Sequence, residues 1–227
     1  MENKSRLGMA AVTLAVGLLV GGGIGYAMNS NDNDDGQENS AQSSIKATDT
    51  KPADLRAVLN NLEAEHVDLA SAATRAGFDG SPMFTAAAAS LGTNTDNLSA
   101  AVASVYGEEA GAQFKEIWAS HIGFFVDYTV AAKAGNTAGM AKAVENLNGY
   151  VEAISAFLSG ANPNLPKEAV AALITEHVGL LKETVDKHGA GDYAGSYDAQ
   201  MRTRTQVTTK VADTLAGAIV KQYPEKF

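Results

Sequence analysis

The sequence predicts an all-α fold: a helical bundle of six to seven helices built from three repeated helical hairpins, preceded by one transmembrane helix. Three observations carry this reading. After residue 51 the apolar positions recur with helical rather than alternating spacing. Alanine is abundant, and no β-branched run alternates in the manner of a strand. Clusters of Gly, Asn, Asp and Pro separate stretches long enough to be helices of several turns.

The first element is the membrane segment. Residues 1–6 contain Lys4 and Arg6 and form a short cytoplasmic N-terminus. Residues 7–28 are 22 consecutive residues without a charge, enough for a helix to cross a hydrocarbon core of about 30 Å. Asp32, Asp34, Asp35 and Glu38 follow. Positive charge before the span and negative charge after it place the remainder of the chain outside the membrane. The segment reads as a signal anchor; a signal peptide cleaved near Gly25-Tyr26-Ala27 is the alternative, which makes the protein secreted. Gly17, Gly21 and Gly25 repeat every four residues, a ridge that lets two such helices pack closely into a dimer.

Residues 29–51 are rich in Asn, Asp, Ser, Thr and Gln and nearly free of large apolar side chains, which reads as a disordered linker. Residues 52–227 form the extracellular helical-bundle domain. In 54–75, Leu55, Val58, Leu59, Leu62, His66, Leu69 and Ala73 share one face, and Gly77 and Gly80 end the helix. Ser81-Pro82 opens the next helix. It is expected to break at Gly92-Thr93-Asn94-Thr95-Asp96 and to resume from Leu98 to Tyr106. The third runs from Glu108 to Ala134 with an aromatic face of Phe114, Trp118, His121, Phe124, Phe125 and Tyr128. Gly135-Asn136 ends it and caps the fourth, 137–159. Pro166 opens the fifth, Gly189 and Gly191 end that one, and Asp192 caps a sixth running to Gln222.

The hairpins resemble one another. His121-Ile122-Gly123-Phe124-Phe125 matches His177-Val178-Gly179-Leu180-Leu181 at an offset of 56, and Ala134-Gly135-Asn136 matches Ala190-Gly191-Asp192 at the same offset. Glu65-His66-Val67 matches Glu176-His177-Val178. Each hairpin therefore begins with a helix bearing a histidine.

Composition excludes several functions. The net charge is −9, and residues 52–227 hold 13 Lys/Arg against 20 Asp/Glu. Such a domain is a poor binder of nucleic acid, whose phosphates supply most of the affinity. No cysteine is present, which excludes disulfides, thiol catalysis and iron–sulfur ligation. No P-loop, dinucleotide fingerprint or Gly-x-Ser-x-Gly elbow appears.

His66, His121 and His177 are the candidate metal ligands. Neutral imidazoles bind copper or zinc when three of them converge. Histidines scattered over three hairpins are packing residues instead. A di-iron bundle needs Glu-x-x-His on two helices; Glu63-x-x-His66 occurs once, and the residues three before His121 and His177 are Trp118 and Ile174. His188 lies at a helix end, where a cation suits the dipole.

Four stretches carry a family likeness: 103–107 (Ala-Ser-Val-Tyr-Gly), 118–128 (Trp-Ala-Ser-His-Ile-Gly-Phe-Phe-Val-Asp-Tyr), 157–166 (Phe-Leu-Ser-Gly-Ala-Asn-Pro-Asn-Leu-Pro) and 218–227 (Ala-Ile-Val-Lys-Gln-Tyr-Pro-Glu-Lys-Phe). Through them the folded part resembles an exported helical domain of spore-forming Gram-positive bacteria, in proteins often labelled copper amine oxidase-like. The amine oxidase quinone arises from an Asn-Tyr-Asp/Glu motif, and this chain has no Asn-Tyr dipeptide, so the resemblance implies no such activity. The family often carries a His-Met pair in its last helix; Gln206-Val207 stands there, which removes a candidate fourth ligand.

The expectation is a membrane-tethered, extracytoplasmic, non-enzymatic module that binds a protein partner at the cell envelope. The alternative is metal binding, copper or zinc, through His66, His121 and His177.

Overall fold

The structure, a computed structural model, describes residues 50–227. The N-terminus, the segment 7–28 read as a membrane span, the ridge of Gly17, Gly21 and Gly25 and nearly all of the segment 29–51 read as a linker lie outside the described residues. Among those described, no helix is long and apolar enough to cross a membrane, and every regular element is helical.

Six helical rods make the domain. α1 (Lys51–Asp79) begins three residues before the expected start, inside the end of the segment read as linker. Thr50 caps it by accepting from Ala53 N, and Pro52 occupies the first turn, where its missing N–H costs nothing. Gly80 closes it in the left-handed conformation at φ 70°, with Ser81 N donating to Ala76 O at 2.8 Å. α2 (Met83–Tyr106) is continuous, which corrects the break expected at 92–96. The polar residues there are absorbed: Thr93 and Thr95 donate to the carbonyls of Ala89 and Leu91 one turn back. Asn94, 1% exposed, donates across to Leu62 O (3.0 Å) and Glu65 (2.9 Å). A sequence rich in loop formers stays helical because its polar groups find partners on α1.

α3 (Glu108–Lys133), α4 (Thr137–Ala161) and α5 (Lys167–Gly189) follow. The turns after α3 and α5 are built as expected. Gly135 and Gly191 take φ 63° and 76°, and Asn136 and Asp192 accept from Gly139 N and Gly195 N. The last rod is α6 (Tyr193–Gln206), a π-helical turn (Val207–Ala212) and α7 (Asp213–Gln222).

Contacts fix the directions of the neighbours. Gly77 lies against Phe84 while Leu62 O meets Asn94, so α1 and α2 run antiparallel. Ala131 lies against Gly139 while Phe114 meets Phe157, so α3 and α4 do the same. Ser196 donates to Thr184 O and Gln206 to Leu173 O, which orients α5 and α6. α2 packs on α3, α4 on α5, and the last rod on α1, so the six rods close a ring. The odd-numbered helices α1, α3 and α5 also touch each other, which places them inside.

The apolar faces read from sequence are buried, with one exchange. Val58, expected inward, is 50% exposed, whereas Glu63 is 3% exposed. α1 is therefore rotated so that a carboxyl, not a valine, enters the bundle.

Candidate metal centre

The three histidines stand one on each inner helix: His66 on α1, His121 on α3 and His177 on α5. All three face inward and are buried, at 0%, 1% and 3% exposure. One ring nitrogen from each lies within 4.8 Å of the other two. The closest pair, His66 Nε2 and His121 Nε2, is 3.4 Å apart. Two nitrogens each bound to one ion at 2.0–2.1 Å in tetrahedral geometry are separated by roughly 3.3–3.4 Å. His66 and His121 stand at that spacing, and His177 lies within 4.8 Å of both.

The triad forms a polar layer between two apolar ones. Trp118 and Ile174, one turn before His121 and His177, belong to a cluster with Phe114, Ile154 and Leu158. Phe125 and Leu181, one turn after, join Ala70, Leu91 and Leu147. Trp118 packs on both His66 and His121 with ring centroids 4.8 Å apart in each pair. Tyr150 of α4 stacks on His121 at 4.5 Å and 22°. These rings fix the imidazoles in place.

Hydrogen bonding decides which nitrogens are free. His121 Nδ1–H donates to Trp118 O. That contact sets the tautomer and turns the Nε2 lone pair toward His66, the arrangement by which second partners orient metal ligands. Asn94 lies beside His66; its amide nitrogen is committed to Leu62 O and Glu65, and its oxygen and His66 Nδ1 are both without a partner among the described residues. The two orphans become complementary when His66 carries its proton on Nδ1, the tautomer that frees its Nε2. His177 has no partner for either ring nitrogen. A buried polar atom left unpaired costs about 1–3 kcal/mol, so a native cluster with several such atoms calls for an ion or water as their common partner.

Protons do not compete for these nitrogens at neutral pH. Burial, then the neighbouring charge of His121 and His177, holds His66 well below the usual imidazole value. Burial and His177 lower His121 to about 3, against the opposing pull of the Trp118 carbonyl. Burial alone lowers His177 to about 4. All three are neutral at pH 7, the form that binds a metal.

Glu63 is the residue that sequence reasoning undervalues. It lines a small cavity of about 50 Å³ walled otherwise mainly by apolar side chains such as Leu59, Leu98, Ile154 and Leu215. Burial pushes its carboxyl up to about 8. Tyr150, whose hydroxyl has no partner, is raised well above 10 by burial and by Glu63. Glu63 is not among the groups whose ligand atoms cluster, so no di-iron set exists among the described residues. The amide nitrogen of Gln206 donates to Leu173 O, one turn before His177, at 2.9 Å, and its buried Oε1 has no partner among the described residues. His188 sits apart, its Nε2 2.8 Å from Asp79 Oδ1 and its ring edge-on to Phe78, where it joins the ends of α1 and α5.

The three imidazoles offer neutral nitrogen donors, and no fourth His, Cys, Asp or Glu among the described residues joins them. That set suits zinc or copper with one coordination position open. No family model, curated protein or solved structure matches this chain.

Proposed function

We propose that this domain binds a single transition-metal ion, copper or zinc, through His66, His121 and His177, and that it does so without catalysing a reaction. One observation carries the reading: three buried, neutral imidazoles from three helices converge, and three of their six ring nitrogens, His66 Nδ1 and both of His177, have no hydrogen-bond partner. A packing histidine normally has its ring nitrogens satisfied, as His121 does on Trp118 O and His66 Nε2 and His177 does not. A module that docks on an envelope protein, the first expectation from sequence, has no residue cluster of comparable definition behind it, and metal binding takes its place as the first reading.

The setting follows from the charge pattern of residues 1–38. The domain is tethered by the segment 7–28 to the outer face of a membrane, where it meets metal ions arriving from outside. Pairing through Gly17, Gly21 and Gly25 would bring two such domains together. The histidine-bearing helices α1, α3 and α5 support the idea that the three hairpins are repeats of one ancestral unit. The resemblance to exported helical domains of Gram-positive bacteria agrees with this location.

The test is calorimetric titration of the full-length chain with Zn²⁺ and Cu²⁺ at pH 7, beside a variant with all three histidines changed to Ala. One equivalent bound by the parent and none by the variant supports the reading. Absence of binding to the parent, or equal binding to both, overturns it and leaves the histidines as packing residues.

A further inference from the structure

The triad is reached by a second feature, a cavity of about 310 Å³ between α1, α2 and α3. His66 and His121 form part of its wall, and His177 does not. The lining extends along α1 from His66 to Gly80, a rise of about 20 Å. At the far end Thr85 and Val130 are exposed to solvent, so the cavity joins the surface to the buried imidazoles.

Its walls have a definite chemistry. No Asp, Glu, Lys or Arg lines it, so a charged occupant would be desolvated without compensation. The two inner threonines are each neutralised by their own helix: Thr74 Oγ1 donates to Ala70 O (2.9 Å) and Thr129 Oγ1 to Phe125 O (2.7 Å). The volume exists because α1 presents Ala70, Ala73 and Gly77 where larger residues would fill it. An unfilled apolar cavity costs stability in proportion to its volume, and this one lies at the lower end of the size range of small-molecule sites.

We propose that this cavity is a ligand chamber: a small, uncharged, largely apolar molecule with one Lewis-basic atom enters between α1, α2 and α3 and places that atom on the open coordination position of the triad's metal. The inference rests on the metal reading above. Three protein ligands leave a tetrahedral ion one position for an outside donor. The chamber meets the triad at His66 and His121, so a donor atom inside it would approach an ion held there. Specificity comes from shape and from the absence of charge on the walls.

The full-length chain loaded with Co²⁺, whose visible bands report coordination, tests this. The probes are 4-phenylimidazole, uncharged at pH 8, and toluene, which has no donor atom. Fluorescence of Trp118, the single tryptophan, reads binding in the apo protein under the same conditions. The expected result is that 4-phenylimidazole shifts the Co²⁺ bands and binds the loaded protein at least tenfold tighter than the apo protein. Toluene binds both forms alike and leaves the bands unmoved. Ala73→Leu, which fills the cavity, and Val126→Phe, which fills it from α3, each weaken both probes tenfold while Co²⁺ affinity stays within twofold. Bands that 4-phenylimidazole does not move in a Co²⁺-loaded protein overturn the chamber and leave the metal site standing. Bands moved equally in both filled variants overturn it as well. Failure of Co²⁺ to bind overturns the metal reading, and the chamber's coordination chemistry with it.

Discussion

His66 Nε2 lies 3.4 Å from His121 Nε2, although the residues are 55 positions apart and belong to different helices. Because His121 Nδ1–H is held by Trp118 O, the His121 Nε2 in this contact carries a lone pair. In the metal-free protein His66 Nε2–H donates to it, which leaves His66 Nδ1 an acceptor without a partner. An ion between the two Nε2 atoms would shift that proton to His66 Nδ1, beside Asn94, and take both lone pairs as ligands. His177 completes the trio with two unpartnered nitrogens of its own. The predictions that follow separate this arrangement from ordinary packing.

Replacing His177 by Leu should abolish metal binding and yet leave the apo protein more stable, by about 1 kcal/mol. The variant removes two buried unsatisfied nitrogens and keeps an apolar side chain in their place. Urea unfolding with the metal chelated measures the stability, and titration calorimetry the binding. A histidine that merely packs and hydrogen-bonds would behave oppositely, losing stability on replacement.

Metal should raise the melting temperature of the parent and not of the triple His→Ala variant. At a free metal concentration of one hundred times Kd the stabilisation is about 2.7 kcal/mol, which for a domain of this size is roughly 5–10 °C. Differential scanning calorimetry with and without Zn²⁺ gives the number. Equal shifts in both proteins would place the metal elsewhere.

Apo stability should peak near pH 6.5. Below that value the unfolded chain protonates histidines that the folded chain keeps neutral down to about 4 for His177 and about 3 for His121. The unfolded state binds more protons, so stability rises with pH through this window. Above pH 6.5 the histidines no longer contribute, and Glu63 governs. Its folded value is raised to about 8, so the folded state holds a proton that the unfolded state has released. Stability then falls as pH rises toward 8, by about 1.4 kcal/mol per unit. Glu63→Gln should flatten the alkaline limb and steepen the acid limb above about pH 4.5, where the Glu63 proton opposes the histidines, as urea unfolding between pH 4 and 8.5 will show.

Much of this is legible in the sequence because it rests on local rules. The turn pairs Gly135-Asn136 and Gly191-Asp192 announce a left-handed residue followed by a cap, and the caps bond as expected. His66, His121 and His177 stand out by their equivalent places at the starts of three hairpins, but periodicity puts a residue on a face without saying what that face meets. Convergence depends on α1, α3 and α5 being the inner helices, which no helical wheel contains. The continuity of α2 through 92–96 escapes the sequence for the same reason. Asn94 and Thr95 carry loop propensity, and partners on α1 and one turn back outweigh it. Glu63 enters the sequence reading only as half of a lone Glu-x-x-His, because an acidic residue on a helix is almost always solvated, and the rotation of α1 that exposes Val58 buries it.

Asn94→Ala should weaken metal binding by ten- to hundredfold, the usual effect of removing a group that orients a ligand. Asn94 also ties α2 to Leu62 O and Glu65, so some stability is lost as well. Asn94→Asp restores the acceptor beside His66 Nδ1 and should recover most of the affinity. Competition against a chromophoric chelator measures all three proteins. A purely structural role for Asn94 would lower stability in both variants and leave the affinity of the folded protein unchanged.

Two glycines on helices should respond in opposite directions, and neither should alter metal affinity. A Cβ on Gly111 would meet Ala103 Cβ at 2.6 Å and Ser99 O at 2.9 Å, so α2 and α3 approach each other through this glycine. Gly111→Ala forces the two helices apart and should cost about 1–3 kcal/mol. Gly149 lies on the exposed side of α4, and a Cβ placed there would meet nothing within 4 Å. Gly149→Ala removes backbone entropy from the unfolded chain without a clash and should stabilise by about 0.5–1 kcal/mol. Gly111 sits ten residues before His121 on α3, so the strain falls about 15 Å along the helix from the triad. Unfolding midpoints that move apart while zinc affinity holds constant would show that α2 and α3 can give at this end without disturbing the imidazoles. A parallel loss of affinity in Gly111→Ala would show instead that the triad's geometry is set by the spacing of α2 and α3 along their whole length.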